Sequence, residues 1–438
     1  MKGNLTASAL GGSLAGLMFG YDIGAMSSAA PGVRLQFELS AAAFGFAVSA
    51  GLIGTIAGSI AAGFLADAIE RRTTLLVSVL SYSAGILGAA FSNEPLAFGT
   101  CRILCGFAVG ILSVAAPMYL AEVAPPTLRG RIVGAFQFSL SIGVVLAFVA
   151  GYLLSNQVQA TSAWRYVLGT GALTAVPCAA LLLWSSPSPR WLAMKGRGAE
   201  AMLALRKLGS ADPEVECAEL QRSMAQFAAG SPTLFARQYV RPILLAISIA
   251  VFNQLTGTNA LLYYILDVFT DLGSGQLNGR KDAIVISTLC LIVTMFAVSI
   301  IDKVGRKPLL IAGTVAMGIC LMLLPLVRVM NWPASLVVVI LAAYNASFGF
   351  SQGVIVWVYL SEIFPLPVRA RGQSLGSTVH WVCNAAIVGA FPSVIALLHE
   401  RVFVVLAILM VVQFFVIILF YPETKRGRLE TLASNIVA

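Results

Sequence analysis

Charged residues are scarce in this sequence. Only 11% of its 438 residues are Asp, Glu, Lys or Arg, while 58% are hydrophobic and the mean hydropathy is +0.89. A soluble domain carries about 25% charged residues. A chain so poor in charge cannot cover its surface with water-facing side chains, so its surroundings must be largely lipid. The formal net charge of +9 then indicates membrane topology and needs no nucleic-acid partner.

Other absences argue against whole classes of protein. The chain has two His and seven Cys, and neither His380 nor His399 lies near Cys101 and Cys105. We therefore expect these thiols to be small packing residues and not metal ligands. The sequence lacks the G-x-x-x-x-G-K-[ST] motif with which a primary pump would bind nucleotide. It also lacks the filter sequence or charged ring of a channel and the nucleophile–base arrangement of an enzyme. We expect no cofactor.

Long apolar segments make up most of the chain. A membrane-spanning helix needs about 20 apolar residues, and a helix satisfies its own backbone polar groups in hydrocarbon. The sequence predicts twelve such helices, at residues 5–30, 42–66, 73–93, 99–121, 131–154, 165–185, 242–269, 283–301, 308–327, 335–363, 373–398 and 402–420. The first segment carries an Asp and lacks a small-residue cleavage site, so no cleavable signal peptide is expected.

The basic residues indicate an orientation. If both termini are cytoplasmic, most of the 28 Lys and Arg fall in cytoplasmic loops, in the polar stretch 186–240 and in the tail. The exceptions are Arg34, Arg102, Arg165, Arg280, Lys281, Arg328 and Arg401. This is the positive-inside pattern. We expect a multi-pass protein of the cell (inner) membrane with both termini in the cytoplasm.

Two motifs occur once in each half of the chain. ADAIERR follows the second apolar segment and IDKVGRK follows the eighth, while LAEVAPPTLRG ends the fourth and LSEIFPLPVRA ends the tenth. Their recurrence in the same order predicts a duplicated unit of six helices. Both copies of each motif face the same side, so the repeats are parallel. Transporters of this plan hold their substrate between the halves, near the bilayer midplane.

The duplication divides the chain into four parts. We expect a six-helix bundle at 1–185, a cytoplasmic helical linker at 186–240, a second bundle at 241–424 and a cytoplasmic tail at 425–438. Within the linker, AEAMLALRKL and PEVECAELQRSMAQF have the apolar period of short amphipathic helices. A passive connection between the bundles is the alternative.

Polar side chains interrupt the seventh segment, which contains NQLTGTNALLYY. An unpaired amide in hydrocarbon is costly, so these groups must face protein or a wet cavity. Gly257 predicts a weakened helix, and broken helices near the midplane expose polar groups in transporters. Gln254, Thr258 and Asn259 fall near one helix face, which Tyr263 extends. Amides both donate and accept, as sugar hydroxyls do; hydrogen bonding between packed helices is the alternative.

With these motifs the chain resembles the sugar porter family of the major facilitator superfamily, from about residue 12 to residue 427. The matching pieces are FGYD (19–22), PMYLAEVAPPTLRGR (117–131), SPRWL (188–192), NQLTGTNALLYY, DKVGRK (302–307), WVYLSEIFP (357–365) and PETKRG (422–427). The resemblance implies an all-α membrane protein with twelve transmembrane helices in two parallel-repeat six-helix bundles. It also implies a monosaccharide substrate, either a hexose, a pentose or a polyol, moved by alternating access.

The chain departs from the family pattern at several positions. Glu70 stands where the family usually has Gly, and Pro187 where it has Glu. Around the expected substrate site, Asn253 replaces a Gln, Cys290 an Asn and His380 an amide. These changes leave the expected fold intact, and they leave open which sugar is bound.

The resemblance implies a substrate site by position. Its members are Phe19, Gln137, Asn253, Gln254, Asn259, Tyr263, Trp357, His380 and Trp381. Gln137 would be the main sugar contact of the N-terminal half, and the aromatic residues would offer apolar faces to ring C–H groups. For each aromatic residue, packing within the bundle is the alternative.

Two ionisable residues lie inside predicted spans, where they are costly and usually functional. Asp22 is in the first span and Arg102 in the fourth. Family members with this Asp are typically proton-coupled, so the resemblance implies that a proton neutralises Asp22, releases Arg102 and shifts the balance between outward and inward states. His380 is a rival proton site, and a structural ion pair in a proton-independent uniporter is the alternative.

A sugar sensor that binds without transporting is the alternative from another functional class. Such proteins tend to need long cytoplasmic extensions for their partners. Here only RLETLASNIVA follows PETKRG, which favours transport. The expected partners are thus a sugar, a proton and the lipid bilayer.

Acids and bases at the span ends form a further set of candidates, which we name the latch. They are Asp67, Arg71, Glu122, Arg129, Asp302, Arg306, Glu362 and Arg369. Their recurrence in both halves favours pairs between the bundles that form when the cytoplasmic side is closed and break when it opens. The alternative is charge satisfaction at helix ends together with the positive-inside rule.

Overall fold

A computed structural model describes most of the chain, namely residues 2–38, 41–157, 160–227, 233–263, 276–330, 332–333, 335–399 and 401–425. The first half contains α1 (Lys2–Gln36), α2 (Ala41–Ala68), α3 (Arg71–Phe91), α4 (Pro95–Val123), α5 (Arg129–Gln157), α6 (Ala160–Gly169) and α7 (Ala175–Trp184). A 3₁₀ turn at Thr170–Thr174 joins α6 to α7, and the three together form the sixth span.

Short helices fill the linker and broken helices mark the second half. The linker contains α8 (Pro189–Met194), α9 (Gly198–Leu208) and α10 (Pro213–Phe227). The second half contains α11 (Val240–Leu255), α12 (Thr258–Tyr263), α13 (Gln276–Val304), α14 (Arg306–Val329), α15 (Ser335–Phe350), α16 (Gln352–Glu362), α17 (Arg369–Leu398) and α18 (Arg401–Phe420). Short 3₁₀ turns precede α11 and α17, and no strand occurs in the ranges that the structure describes.

Ten spans within the described ranges are long and apolar enough to cross a membrane. The other two predicted spans, 5–30 and 373–398, lie in α1 and α17, which are 35 and 30 residues long. Each of these two helices is long enough to cross a membrane. Each of the twelve predicted segments therefore corresponds to helical structure over the residues that the structure describes, and residues 264–269 of the seventh segment lie outside them.

Small residues let the helices pack closely. Within the first half α1 lies against α5, and α2 lies against α4. A Cβ on Gly20 would lie 1.9 Å from the carbonyl oxygen of Leu140, and one on Gly106 would lie 1.8 Å from that of Gly51. Only glycine permits such an approach of backbones. Between the halves, α5 packs against α13 and α2 packs against α17.

The break expected at Gly257 is present. Gly257 has φ +82°, between the end of α11 and the start of α12. Thr256 Oγ1 donates to the carbonyl of Asn253 (2.8 Å), and the Tyr344 hydroxyl donates to the carbonyl of Thr256. Thr258 Oγ1 in turn donates to the Tyr344 hydroxyl (2.9 Å). Side chains thus satisfy the backbone groups that the break releases, as membrane burial requires.

A second break, which was not expected, separates α15 from α16. Ser351 has φ −128° and ψ −86° there, and its hydroxyl donates to the carbonyl of Ser347 (2.9 Å). Gly313 of α14 lies against it, since a Cβ on Gly313 would meet Ser351 Oγ at 1.8 Å. The break turns α16, with Trp357, toward the interface between the halves.

The linker packs against the first bundle. The two amphipathic segments are the helices α9 and α10, as the pattern predicts, and with α8 they bury a small core around Trp191 and Leu205. Trp191 Nε1 donates to the carbonyl of Asp67 (3.4 Å), and Arg190 donates to the carbonyl of Glu122. These contacts tie the linker to two latch residues. The domain boundaries proposed from the sequence stay a prediction.

Candidate substrate and coupling sites

A cavity of about 70 Å³ lies between the two halves. Helices α1 and α5 form its wall on the first half, and α11, α12, α13, α15, α16 and α17 form the rest. Six of the predicted substrate residues line it: Phe19, Gln137, Asn253, Asn259, Trp357 and His380. Gln254 and Trp381 lie directly behind this wall, while the side chain of Tyr263 is outside the described part of the chain.

Gln254 connects the polar residues of the second half. Its Nε2 donates to Asn253 Oδ1 (3.1 Å) and lies 2.9 Å from Nε2 and 3.1 Å from Nδ1 of His380. Its Oε1 accepts from Nδ2 of Asn259 (3.0 Å) and of Asn384 (3.1 Å). Both the nitrogen and the oxygen of the Gln254 amide therefore have partners. Asn384 belongs to this cluster, although it was not among the residues predicted from the sequence.

Aromatic rings close the cavity on the side of the first half. Phe19 packs against Trp381 with ring centroids 5.1 Å apart and against Trp357 at 6.3 Å. Trp357 Nε1 donates to Gln137 Oε1 (3.0 Å), and Trp381 Nε1 donates to Ser113 Oγ (3.1 Å). Both hydrogen bonds cross from one half to the other. Both Trp side chains are 2% exposed, which is incompatible with a position in an interfacial aromatic belt.

Three further polar residues of α13 and α15 line the cavity. They are Ser287, Cys290 and Asn345. Cys290 was recognised only as a departure from the family pattern, and the other two were missed. The available signal was weak, because Ser287 and Asn345 lie in largely apolar segments, where most polar residues bond to their own backbone or to a neighbouring helix.

Asp22 and Arg102 form a buried, two-pronged ion pair beside the cavity. Arg102 Nη1 lies 2.5 Å from Asp22 Oδ1 and Nη2 lies 2.9 Å from Oδ2. A small void of about 10 Å³ next to the pair is lined partly by Phe19, Ile23 and Trp381. Phe19 and Ile23 line the larger cavity as well. The ion pair and the cavity therefore share part of one wall.

Within each half, the latch residues form equivalent buried pairs. Arg71 Nε lies 3.2 Å from Glu122 Oε2, and Arg306 Nη2 lies 2.8 Å from Glu362 Oε1. Both guanidinium groups and both carboxylates are almost completely buried. Arg369, which was placed in the same set, donates to the carbonyl of Phe364 (3.1 Å).

Other contacts of the latch join the two halves. Asp302 accepts hydrogen bonds from the backbone N–H groups of Gly130 and Arg131, each at 2.9 Å. Arg129 lies 3.9 Å from Glu362 across the interface. The backbone contacts of Asp302 satisfy N–H groups at the start of α5, which have no partner within that helix.

Several residues that contact the latch were not predicted. Arg371 Nε lies 3.6 Å from Asp67 Oδ2 across the halves. Ser188 Oγ donates to Glu122 Oε2 (2.5 Å), and Thr424 Oγ1 donates to Glu362 Oε2 (2.6 Å). The last two lie in the SPRWL and PETKRG motifs, so the motifs were recognised while their contacts were not.

The family described as "Sugar (and other) transporter" matches residues 9–435. The chain belongs to this family. It is 34% identical to the D-xylose transporter of Levilactobacillus brevis over 88% of this chain and 85% of that protein. It is 30% identical to the arabinose-proton symporter of Bacillus subtilis (96% and 92%) and 31% identical to the glucose facilitated diffusion protein of Zymomonas mobilis (98% and 97%).

Solved structures have the same fold. The proton:xylose symporter XylE bound to 6-bromo-6-deoxy-D-glucose matches with a TM-score of 0.92, at 28% identity and 99% coverage of both chains. The expected major facilitator fold, with twelve helices in two six-helix bundles, is thereby confirmed. The inward-open conformation of XylE from E. coli matches less well, with a TM-score of 0.76 at 27% identity, covering 98% of this chain and 99% of that chain. The lower score accords with the contacts that join the two halves at the latch.

Proposed function

We propose that this protein is a secondary active transporter that imports a monosaccharide (a hexose, a pentose or a polyol) together with a proton by alternating access. The observation that carries the proposal is the shared wall between the polar cavity and the buried Asp22–Arg102 pair. A cavity lined by amides and aromatic rings suits a neutral polyhydroxylated ligand, because amides both donate and accept while rings cover C–H faces.

Sugar binding would exchange existing hydrogen bonds for new ones. Gln137 is bonded to Trp357 across the halves, and Gln254 is bonded within its own cluster. A sugar hydroxyl that bonds to Gln137 competes with the Trp357 indole, and so loosens one contact between the halves. Ligand affinity then differs between conformations, which is what allows a ligand to shift the equilibrium between them.

Proton binding would act on the same equilibrium through α1. A proton on Asp22 removes the charge that holds Arg102 in the two-pronged pair, which weakens the contact between α1 and α4. Phe19 lies one turn before Asp22 on the same helix and packs against both cavity Trp rings. A small movement of α1 therefore reaches the sugar site, and the two ligands become linked in free energy.

The latch would control access from the cytoplasm. Its contacts between the halves, chiefly those of Asp302 with the start of α5, favour the state with the cytoplasmic side closed. The placement of the latch together with the basic loops supports a cytoplasmic location for both termini. We infer the bacterial cell membrane as the location, since several of its relatives are bacterial.

Proton-independent uniport is the second candidate. The relative that is a glucose facilitated diffusion protein supports it. In that case the Asp22–Arg102 pair would be structural, and sugar would equilibrate across the membrane without accumulating.

The test is uptake into liposomes that contain the purified full-length protein. Labelled glucose, xylose, galactose and inositol are each supplied with and without an inward proton gradient, for the wild type and for Asp22→Asn. Asp212→Asn is the matched control, because Asp212 is an exposed acid of the linker. We expect one of these substrates to accumulate above equilibrium only with the gradient, in the wild type and the control but not in Asp22→Asn.

Three results would contradict this proposal. Equilibration that ignores the gradient establishes uniport, and retained gradient-driven accumulation in Asp22→Asn removes the coupling role of Asp22. Binding of a sugar without any flux would make the protein a sensor.

A further inference from the structure

One hydroxyl in the cavity wall makes no hydrogen bond to the residues that the structure describes. The side chain of Ser287 on α13 is only 5% exposed, and Ser287 Oγ has no hydrogen-bond partner among the residues that the structure describes. Ser287 nevertheless lines the cavity between the halves. Burying a hydroxyl without a partner costs stability, so such a group requires an explanation, which a ligand can supply.

Helical hydroxyls in this protein usually bond to the preceding turn. Thr288, the next residue along α13, donates to the carbonyl of Ile284 (2.7 Å). Ser141, on the opposite wall of the cavity, donates to the carbonyl of Gln137 (3.2 Å). A bond of this kind is the ordinary way for Ser and Thr to remain in a membrane helix. Ser287 does not make it, although its helix continues unbroken on both sides.

Asn345 places an amide on the same wall. Its backbone carbonyl lies 3.5 Å from Cys290 Sγ, and Cys290 is one helical turn from Ser287 on the same face of α13. Ser287, Cys290 and Asn345 all line the cavity. The wall therefore carries a hydroxyl and an amide with a thiol between them. Because a thiol is a weak hydrogen-bonding group, the hydroxyl and the amide supply its strong polar contacts.

This wall lies at the end of the cavity away from the latch. Ser287 is fifteen residues before Asp302 on α13, which corresponds to about 22 Å along a helix. Trp357 is only five residues before Glu362 on α16, or about 7 Å. The hydrogen bonds of the Gln254 amide go to Asn253, Asn259 and Asn384, and both ends of that amide are already occupied.

We propose that Ser287 and Asn345 form a second hydroxyl-binding subsite of the cavity, which takes one hydroxyl group of the bound monosaccharide. The inference rests on the proposed function. A sugar hydroxyl donates one hydrogen bond and accepts others, as do a serine hydroxyl and an asparagine amide. The ligand hydroxyl supplies the partner that Ser287 lacks. The subsite thereby makes recognition depend on one hydroxyl that the Gln254 cluster does not contact.

The experiment compares the affinities of deoxy-sugars. The dissociation constant of the best-bound monosaccharide, and of each of its monodeoxy derivatives, is measured by calorimetric titration of the purified full-length protein. Wild type, Ser287→Ala and Asn345→Ala are compared. Thr288→Val is the matched control, because it removes a neighbouring hydroxyl that is already committed to the backbone.

A specific pattern is expected. Ser287→Ala weakens binding of the parent sugar about 3- to 10-fold, as loss of one neutral hydrogen bond does. For one deoxy-sugar, Ser287→Ala and wild type bind equally, because that sugar lacks the hydroxyl in question. Asn345→Ala identifies the same hydroxyl, and Thr288→Val leaves every affinity unchanged.

Other results separate the inference from the proposed function. If the wild type binds a monosaccharide and Ser287→Ala binds every derivative as tightly, the subsite does not exist and the proposed function stands. An equal loss for every derivative also overturns the subsite, since it indicates a general change in packing. If the wild type binds no monosaccharide, the proposed function fails, and the subsite with it.

Discussion

One hydrogen bond determines which atom of each amide around Gln254 donates and which accepts. Asn253 Nδ2 faces the backbone carbonyl of Gln352 at 3.2 Å, and a carbonyl can only accept. Asn253 Oδ1 must therefore face Gln254, whose Nε2 donates to it. The same Nε2 faces the ring of His380, so the ring nitrogen next to it accepts. His380 acts in the cavity as an acceptor, in the place where the family commonly has an amide.

This role leads to a prediction for His380. Replacement by Gln supplies an amide oxygen that can accept from Gln254, so we expect His380→Gln to bind sugar within about threefold of wild type. Replacement by Phe keeps a ring next to Trp357 but offers no acceptor. In the wild type the centroids of the His380 and Trp357 rings are 5.2 Å apart. We expect His380→Phe to weaken binding about tenfold. Titration of both variants with the transported sugar is the measurement, and equal affinities of the two variants would show that the acceptor at this position does not contribute to binding.

At the scale of elements, the two breaks in the second half have different origins. The break at Gly257 is encoded locally, because a residue with φ +82° is strongly favoured to be glycine. The break at Ser351 has no such local signal, since its φ is negative and no proline lies in the turn that follows it, Gln352-Gly353-Val354. At this break Ser351 packs against Gly313 of the neighbouring helix, where a side chain larger than glycine would not fit.

Gly257→Ala tests the local break. The added Cβ would be strained at positive φ and would lie 2.9 Å from Leu406 Cδ1. We expect a loss of about 1–3 kcal/mol in stability, seen as a lower midpoint of thermal unfolding in detergent. The control is Gly389→Ala on α17, where an added Cβ meets nothing within 4 Å. A Gly257→Ala midpoint equal to that of the control would show that the break relaxes without cost.

For the whole molecule, the latch is unequal on its two sides. Asp302 accepts two backbone hydrogen bonds at 2.9 Å from the start of α5. Its counterpart in the repeat, Asp67, lies 3.6 Å from Arg371 across the halves, and its side chain is 28% exposed. Charge-assisted bonds in a buried position are stronger than an exposed ion pair. We therefore expect the Asp302 side to contribute more to the proposed closing of the cytoplasmic face.

Asp302→Ala should thus open the cytoplasmic side more than Asp67→Ala does. Cys290 lines the central cavity, so a variant that keeps this thiol alone reports access from the cytoplasm. We expect a membrane-impermeant maleimide, added to inside-out vesicles, to label Cys290 about tenfold faster in Asp302→Ala, which corresponds to one charge-assisted hydrogen bond. Asp67→Ala should produce a smaller increase. Equal labelling of both variants would mean that the repeats close the face symmetrically.

The sequence by itself determined the membrane environment, the twelve helices, the duplicated plan and the break at Gly257. It also identified six of the cavity-lining residues, through their positions in the family pattern. These features are local or periodic: apolarity over about 20 residues, positive φ at one glycine, or a motif that occurs twice. Each can be evaluated without knowing which helices are neighbours.

Only the tertiary structure decided how those residues meet. It joined Asp302 to the start of α5, turned α16 at Ser351, added Asn384 to the Gln254 cluster and left Ser287 without a partner at the cavity wall. Whether a buried polar group is satisfied depends on side chains that are distant in sequence and close in space. A single serine in an apolar segment does not contain that information, because its partner, or the lack of one, is a property of the packed helices.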